Sequence, residues 1–126
     1  MKFRSKFEKR FAINLKEQKL PFKYESEKIK YIVPETQRTY TPDFIISKKE
    51  GKKMYIETKG RLKDIDRKKL LLIRDQHPEI DLRLVFQNPK IKIRKGSKTT
   101  YGDWATKCGL KWATTDIPEK WIEECK

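Results

Sequence analysis

Asp43, Glu57 and Lys59 are the residues of this chain whose types and spacing suit chemistry on a phosphate ester. In a strand, residues two apart point to the same face, so Glu57 and Lys59 are expected to project together. Asp43 opens an apolar stretch, and the segment 47–52, in which Gly51 can adopt a positive φ, can fold the chain back as a hairpin. We expect this hairpin to bring Asp43 beside Glu57.

The two carboxylates would form a hard oxygen site suited to Mg²⁺, for which Mn²⁺ can substitute. The backbone carbonyl of Thr58 is a further candidate ligand. Two roles are open to Lys59 beside such an ion: it can stabilise the charge on the scissile phosphate, or it can orient and deprotonate the attacking water. A solvated strand face in a chain that is 40% charged would show the same Glu-x-Lys spacing. The second carboxylate at hairpin distance nevertheless favours a metal-dependent nuclease site.

The elements before this hairpin follow from the hydrophobic pattern. Apolar residues near helical spacing predict an amphipathic helix over 5–19. Alternating apolar and charged residues predict one extended strand over 22–33, which ends before Pro34. A turn-rich loop is predicted over 35–39.

The helix after the hairpin begins at Asp64, which can act as its cap, and runs to about residue 76. Leucine and isoleucine side chains supply its buried stripe, whereas Arg67 and Lys68 are expected in solvent. A strand over 81–86 comes next, and a strand, a helix and a strand in succession favour a crossover to parallel pairing. We therefore predict an α/β fold with a mixed central sheet flanked by helices.

The C-terminal part is predicted to hold a basic strand over 90–95 and a short helix over 101–108 that Gly109 ends, followed by a last turn around Trp121. The tryptophans are assigned to packing rather than to base stacking, because aromatic residues in amphipathic segments are mostly core residues.

The two cysteines and the one histidine are not expected to do chemistry. Cys108 and Cys125 have no neighbouring histidine or cysteine at zinc-ligand spacing and are interpreted as free thiols. His77 precedes Pro78 at the predicted end of a helix, where a structural role is expected. The 126 residues are enough for one domain with a modest core.

The motif around Asp43 and Glu57 resembles the PD-(D/E)XK signature of the restriction-endonuclease-like superfamily. The similarity extends over nearly the whole chain, and it identifies a resemblance to the phage endonuclease I family. The stretches that carry it are Tyr40-Thr41-Pro42-Asp43-Phe44, Glu57-Thr58-Lys59-Gly60, Asp66-Arg67-Lys68-Lys69, Leu72-Ile73-Arg74, Gln76-His77-Pro78-Glu79 and Ile117-Pro118. The resemblance implies a restriction-endonuclease-like core and Mg²⁺-dependent resolution of Holliday junctions and branched DNA.

The same resemblance adds a fourth acidic residue to the site. The family places it on the first helix, where Phe3-Arg4-Ser5-Lys6-Phe7-Glu8 matches, so the role is carried onto Glu8. The implied catalytic set is therefore Glu8, Asp43, Glu57 and Lys59, with Asp43, Glu57 and Thr58 as the metal ligands. One or two ions are compatible with these residues.

The resemblance also implies an intertwined homodimer with exchanged segments. Within the single domain 1–126, residues 1–27 would hold the exchanged N-terminal helix and strand, 28–33 would form the bridge, and 34–126 would form the catalytic core. Glu8 would then come from one subunit and the other site residues from its partner. Composition and periodicity do not show such an exchange, and the strand at 28–33 could equally pair within its own sheet.

The charge balance favours a polyanionic partner. The chain has 32 Lys and Arg against 18 Asp and Glu, which gives a formal charge of +14, and nucleic acid is the leading candidate. Phosphate contacts fix position without reading bases, so sequence specificity is not expected. The candidates for such contacts are Arg4, Lys6, Arg61, Lys63, Arg67, Lys68, Arg94 and Lys95.

Two alternatives to a junction-resolving enzyme remain at this point. One is a non-catalytic, structure-specific DNA-binding protein, and the other is a restriction-type or repair nuclease that cuts linear duplex. No apolar stretch approaches the length of about 20 residues that spans a bilayer, and the charged start leads into no apolar signal-peptide core. We therefore expect no membrane partner, no small-molecule cofactor, and a location in the cytoplasm, that of the bacterial host if a phage encodes the chain.

Overall fold

The computed structural model describes residues 2–33 and 36–126 as a five-stranded mixed sheet with a separate two-stranded sheet. In chain order the elements are α1 (Lys6–Glu17), β1 (Phe22–Tyr24), β2 (Ile29–Val33), β3 (Thr36–Tyr40), β4 (Phe44–Ser47), a 3₁₀ turn (Lys49–Gly51), β5 (Lys53–Lys59), α2 (Asp64–Gln76), β6 (Asp81–Phe86), α3 (Tyr101–Lys107), β7 (Lys111–Thr114) and α4 (Glu119–Cys125). The predicted α/β class and mixed sheet are confirmed.

The central sheet has the strand order β1-β4-β5-β6-β7. Strands β4 and β5 form the predicted antiparallel hairpin, in which Phe44 pairs with Ile56, and Gly51 in its turn has the predicted positive φ of 76°. The crossover through α2 makes β6 parallel to β5, as predicted, and β7 continues in parallel on the far side. The carboxyl end of β5 therefore lies beside the start of β4.

Helices cover both faces of this sheet. Helices α1 and α4 pack on one face, where Phe11, Phe44 and Trp121 belong to one buried cluster. Helices α2 and α3 pack on the other face, where a second cluster contains Leu70 and Trp104. Because strand side chains alternate between faces, Met54 and Ile56 contribute to the first cluster, which leaves Glu57 and Lys59 toward α2. The packing role predicted for the tryptophans is confirmed.

The expectation of one strand over 22–33 is wrong. The chain breaks after Tyr24, where Glu25 adopts a positive φ of 46°. The first piece, β1, pairs with β4 in the main sheet, whereas the second piece, β2, pairs with β3 in the separate sheet. The alternation of apolar and charged residues correctly predicted extended backbone, but it could not show that β1 and β2 belong to different sheets.

The prediction of a loop over 35–39 is wrong for the residues that the structure describes, because Thr36–Tyr40 is strand β3. Threonine and tyrosine favour strands, and the polar surface of this segment reflects its position in a two-stranded sheet rather than a turn. Pro34 and Glu35, on which the predicted strand end and loop start fall, lie outside the described residues.

The C-terminal part also differs from its prediction. Residues 90–95 form no strand, only an isolated bridge between Lys92 and Thr100. Ile91 is 39% exposed, and only Ile93 packs against the second cluster, so the segment lacks the continuous buried face of a sheet strand. Strand β7 was not predicted, and the expected turn around Trp121 is helix α4. Cys108 and Cys125 are free thiols, as expected.

Helix α2 shows two smaller corrections. Lys63 rather than Asp64 precedes its first turn, and the Lys63 N–H donates to the Asp66 carboxylate at 3.0 Å. Arg67 was expected in solvent but is buried, and its guanidinium donates to the carbonyls of Leu62 at 2.7 Å and Ile93 at 3.2 Å. An arginine that ties a helix to a loop in this way is not available to solvent.

The far end of α2 holds the two-stranded sheet. The Gln76 side-chain amide accepts from the Ile32 N–H at 2.6 Å and donates to the Ile32 carbonyl at 2.5 Å, which imitates a neighbouring strand. His77 follows the helix, as expected, and its ring contacts the Lys30 carbonyl. These contacts give the two-stranded sheet a fixed position over α2.

Candidate active site

The predicted site residues converge at the carboxyl end of β5. The pairing of Phe44 with Ile56 places Asp43 and Glu57 each one residue beyond a paired position, on adjacent strands. Asp43 is buried, with 8% of its surface exposed. Glu57 and Lys59 point to the same face, as predicted, and the Lys59 ammonium lies 3.4 Å from the Glu57 carboxylate.

Asp43 is fixed by Thr58, which lies on β5 between the other two site residues. The Thr58 backbone N–H and its hydroxyl both donate to Oδ2 of Asp43 at 2.9 Å. One carboxylate oxygen of Asp43 is therefore held by protein donors. The sequence suggested Thr58 for its carbonyl, whereas the side chain and the N–H prove to have a role of their own.

Glu57 receives a different donor on each of its oxygens. The buried Tyr40 hydroxyl donates to Oε1 at 2.8 Å, and Lys59 lies nearest to Oε2. Burial raises the pKa of Glu57, although Lys59, the Tyr40 hydroxyl and Lys69 act in the opposite direction. Sequence reasoning missed Tyr40, because nothing in its local pattern distinguishes it from a core tyrosine.

Lys59 is surrounded by carboxylates. Besides Glu57, Asp66 on α2 lies 3.5 Å from its ammonium. Burial works against the charged form of Lys59, but Glu57, Asp66 and Asp43 more than offset this effect, so the pKa of Lys59 lies above its ordinary value. Lys59 is therefore a cation at neutral pH in this arrangement.

Glu8 reaches the site from the first turn of α1. Ser5 caps this helix, because its hydroxyl accepts from the Glu8 N–H at 3.0 Å. The Glu8 carboxylate accepts from the Tyr24 hydroxyl and from the Arg4 N–H, the latter at 3.1 Å, and only 8% of Glu8 is exposed. In this single chain Glu8 thus lies at the site of its own chain.

Glu25 is an acidic residue at the site that the sequence analysis missed. Carboxylate oxygens of Glu8, Glu25 and Asp43 all lie within 4.8 Å of one another, a group that could hold a metal ion. The Glu25 N–H donates to the Asp43 carbonyl at 3.2 Å, and its carboxylate pairs with Arg4 at 3.0 Å. Glu25 follows Tyr24 directly in the sequence. This position indicates a residue near Asp43 only once it is known that β1 pairs with β4.

Burial and neighbouring carboxylates raise the proton affinity of Asp43. Burial raises the pKa of Asp43 to about 7, and Glu57 and Glu8 add to the shift against the two hydrogen bonds from Thr58. Burial also raises the pKa of Tyr24, as does its hydrogen bond to Glu8. Buried like charges of this kind are relieved by a bound cation, and an all-oxygen donor set suits a hard divalent ion.

The basic residues suggested for DNA contacts have different environments. Arg67 is buried and tied to carbonyl groups, which argues against the phosphate contact expected of it. The other suggested residues are exposed: Arg4, Lys6, Arg61, Lys63, Lys68, Arg94 and Lys95. Within the described ranges, none of the helices has the length and apolar character needed to cross a lipid bilayer.

Comparisons with known proteins agree with the resemblance seen in the motifs. The family model described as phage endonuclease I matches residues 1–126. Endonuclease I of Escherichia phage T7 is 44% identical over 124 residues, which cover 98% of this chain and 80% of the relative. Endodeoxyribonuclease 1 of Enterobacteria phage T3 is also 44% identical over 124 residues, which cover 98% of this chain and 79% of the relative. The chain therefore belongs to the phage endonuclease I family and is a nuclease.

Proposed function

We propose that this nuclease resolves four-way junctions and other branched DNA by divalent-metal-dependent hydrolysis of phosphodiester bonds, with paired nicks near the branch. The observation that carries the hydrolytic part is the convergence of Glu8, Asp43 and Glu57 with a cationic Lys59 at one end of the sheet. The preference for branched DNA rests on the family resemblance. Because the family is one of endonucleases, the non-catalytic alternative is not retained.

The donor set fits Mg²⁺ or Mn²⁺. Asp43 and Glu57, with the Thr58 carbonyl, would hold one ion, and Glu8 and Glu25 lie where they could complete a second position beside Asp43. When bound, such ions activate water and neutralise charge on the phosphate. The raised pKa of Asp43, about 7, supports this assignment, since a bound ion would take the place of the proton that burial favours.

Lys59 is assigned to charge stabilisation rather than to proton abstraction. Its ammonium lies 3.4 Å from the Glu57 carboxylate and 3.5 Å from that of Asp66, an environment that suits a cation better than a neutral base. The same group can donate hydrogen bonds to a scissile phosphate, where negative charge develops during hydrolysis. The ion pairs with Glu57 and Asp66 keep the Lys59 ammonium in a fixed orientation.

Contact with DNA is assigned to exposed basic residues on both sides of the site. Arg4 and Lys6 flank the start of α1 next to Glu8, and Arg61 and Lys63 follow β5 directly. These side chains can neutralise phosphates without reading bases. Affinity should then fall steeply with salt, by roughly 0.9 log units per log unit of salt for each phosphate neutralised. A nearly flat salt dependence would contradict this assignment.

A homodimer would place two such sites on one junction, and a two-fold axis suits its paired strands. An exchange of residues 1–27 would keep the contacts of Glu8 with Arg4, Ser5 and Tyr24 within one chain, since all of them lie in that segment. Only the proximity of Glu8 to Asp43 would form between chains. Mixed dimers test this point. In an exchanged dimer, Glu8→Ala paired with Glu57→Ala leaves one site intact, whereas without exchange both sites are broken. A single nick by the mixed dimer, and none by either parent, is the expected result.

The first experiment compares substrates and ions. A labelled immobile four-way junction and a linear duplex of equal length are incubated with the protein in Mg²⁺, in Ca²⁺ and in EDTA. Symmetric nicks near the branch in Mg²⁺ alone are expected. Equal cutting of the duplex would instead favour a restriction-type or repair nuclease, and absence of cutting in Mg²⁺ and Mn²⁺ would overturn the proposal.

Glu57→Ala should bind the junction but not cut it. The matched control is Glu79→Ala, which removes an exposed glutamate. We also propose that the enzyme acts in the cytoplasm of the bacterial host cell.

A further inference from the structure

We propose that Tyr40 is a positioning residue for Glu57: its hydroxyl, supplied by the separate two-stranded sheet, fixes the carboxylate orientation in which Glu57 binds the divalent ion. The inference rests on the proposed metal-dependent function. The Tyr40 side chain is buried, and we assign it a role only through Glu57.

The Tyr40 hydroxyl is buried and forms a hydrogen bond with Glu57. The side chain is 1% exposed, and the hydroxyl donates to Oε1 of Glu57 at 2.8 Å. No second polar partner lies within hydrogen-bonding distance of this hydroxyl among residues 2–33 and 36–126. A buried hydroxyl without a partner is costly, so the Glu57 contact determines its orientation. Lys59 approaches the other oxygen, and the carboxylate is held from both sides.

The ring of Tyr40 is itself fixed. The Lys69 ammonium lies 5.2 Å from its centroid, within the range of a cation–π contact. The backbone of Tyr40 pairs with Ile29 at the base of the two-stranded sheet, and Gln76 holds β2 of that sheet against α2. These contacts fix Tyr40 relative to the two-stranded sheet and α2, and its hydroxyl in turn fixes one carboxylate oxygen of Glu57.

Donors that orient a metal-binding carboxylate affect both metal affinity and rate. Loss of such a partner typically lowers metal affinity or activity by roughly 10-fold to 100-fold. Phenylalanine preserves the buried ring and removes only this donor.

The test uses Tyr40→Phe with Tyr55→Phe as the matched control. Tyr55 lies on the same strand as Glu57, and its hydroxyl donates at 3.1 Å to Glu27, a glutamate outside the site. Mn²⁺ binding is measured without DNA by the loss of the free-ion electron paramagnetic resonance signal, and junction cleavage is measured against Mg²⁺ concentration. We expect Tyr40→Phe to weaken Mn²⁺ binding roughly tenfold and to raise the half-saturating Mg²⁺ concentration in parallel. Tyr55→Phe should change neither.

A double variant separates positioning from a general structural effect. In a Glu57→Ala background, Tyr40→Phe should have no further effect on Mn²⁺ binding, since its route to the metal has been removed. An equal loss in both backgrounds, or unchanged Mn²⁺ binding in Tyr40→Phe while the wild type cuts the junction, would overturn the inference. Absence of cutting by the wild type itself would instead refute the proposed function. Thermal unfolding of each variant confirms that the proteins compared are folded.

Discussion

Two clusters of charged residues lie at opposite ends of β5 and β6 and behave in opposite ways. At the carboxyl end, the carboxylates around Asp43 raise the pKa of that residue to about 7, with burial as the largest cause. At the amino end, Arg83 is fully buried, and its guanidinium forms paired contacts with Asp81 and Glu124 at 2.6 to 2.8 Å. Burial opposes ionisation of Asp81 as well, yet Arg83 and Lys48 lower its pKa overall.

We interpret the Arg83 cluster as structural, and we propose that the Asp43 cluster is the functional one. The Arg83 cluster provides its own counter-charges, and it fastens helix α4 to the sheet, with Arg83 also 5.1 Å from the Trp121 ring. The Asp43 cluster gathers acids without enough cations of its own. Such clusters are more frequent where a ligand supplies the missing charge, and the lack of balancing cations therefore supports the proposed metal site at Asp43.

The largest effect is expected from Asp43→Asn. The variant keeps the size of the side chain but removes a metal-binding charge, so junction cleavage should fall by up to about a thousandfold, or about 4 kcal/mol of barrier. Single-turnover cleavage in Mg²⁺ measures this, with junction binding in Ca²⁺ as the control. Cleavage within about threefold of the wild type would mean that the Asp43 cluster is not the functional one.

Arg83→Ala should have its effect on stability instead. Removing the cation takes away the paired contacts of Glu124 and leaves Asp81 with Lys48 alone, and the loss of one partner of a buried ion pair costs about 3 kcal/mol. Urea unfolding measures the change. Arg10→Ala is the control, because its pair with Asp116 at 3.7 Å is largely exposed and should contribute less than about 1 kcal/mol. Similar losses in both variants would remove the distinction between the Arg83 cluster and an ordinary surface pair.

The pH dependence of stability should have opposite signs in the two clusters. Asp43 binds its proton more tightly when folded, since its pKa is about 7 against about 3.9 in the unfolded chain, so its contribution to stability falls as pH rises from 4 to 7. The lowered pKa values of Asp81 and Glu124 contribute stability at neutral pH that is lost under acid conditions.

Unfolding in EDTA at pH 5 and pH 7 tests this contrast. Asp43→Asn should become more stable than the wild type toward pH 7, by about 2 kcal/mol once partial relaxation of the site is allowed for. Arg83→Ala needs a further measurement at about pH 3: its destabilisation relative to the wild type should shrink there, because Asp81 and Glu124 of the wild type take up protons. A wild-type stability that rises from pH 5 to pH 7 as fast as that of Asp43→Asn would contradict the assignment.

The smallest effect is expected from metal binding to the free protein. An ion that binds only the folded chain stabilises it by about 1.4 kcal/mol at ten times its dissociation constant. Mg²⁺ or Mn²⁺ should therefore raise the melting temperature of the wild type and of Arg83→Ala alike, but not that of Asp43→Asn. A rise in all three proteins would place the bound ion elsewhere.

Sequence patterns predicted the parts of this site that depend on neighbouring residues. The hairpin that joins Asp43 to Glu57 needed only a glycine-bearing turn between two apolar strands, and the common face of Glu57 and Lys59 needed only the two-residue period. Their surroundings could not be predicted in this way. Tyr24 lies 16 residues from Glu8 and Tyr40 lies 17 residues from Glu57, so no local period relates either pair.

The errors have the same origin. Arg67 occupies a helix position that periodicity assigns to solvent, yet a loop that closes over α2 buries it against Leu62 and Ile93. The basic segment 90–95 alternates like a strand, but the sheet offers it no partner beyond one bridge. In each case the outcome depended on what another segment did.

The sequence by itself determined the α/β class, the motif hairpin, the parallel crossover and, through family membership, the chemistry of a nuclease. These follow from short-range spacing and from residue types, which are fully present in the chain. The tertiary structure alone decided which charges are balanced. Arg83 meets Glu124 across 41 residues, and Glu25 joins Asp43 only because β1 lies beside β4. Electrostatic environment depends on distance and burial in space, and neither is encoded in any local stretch of sequence.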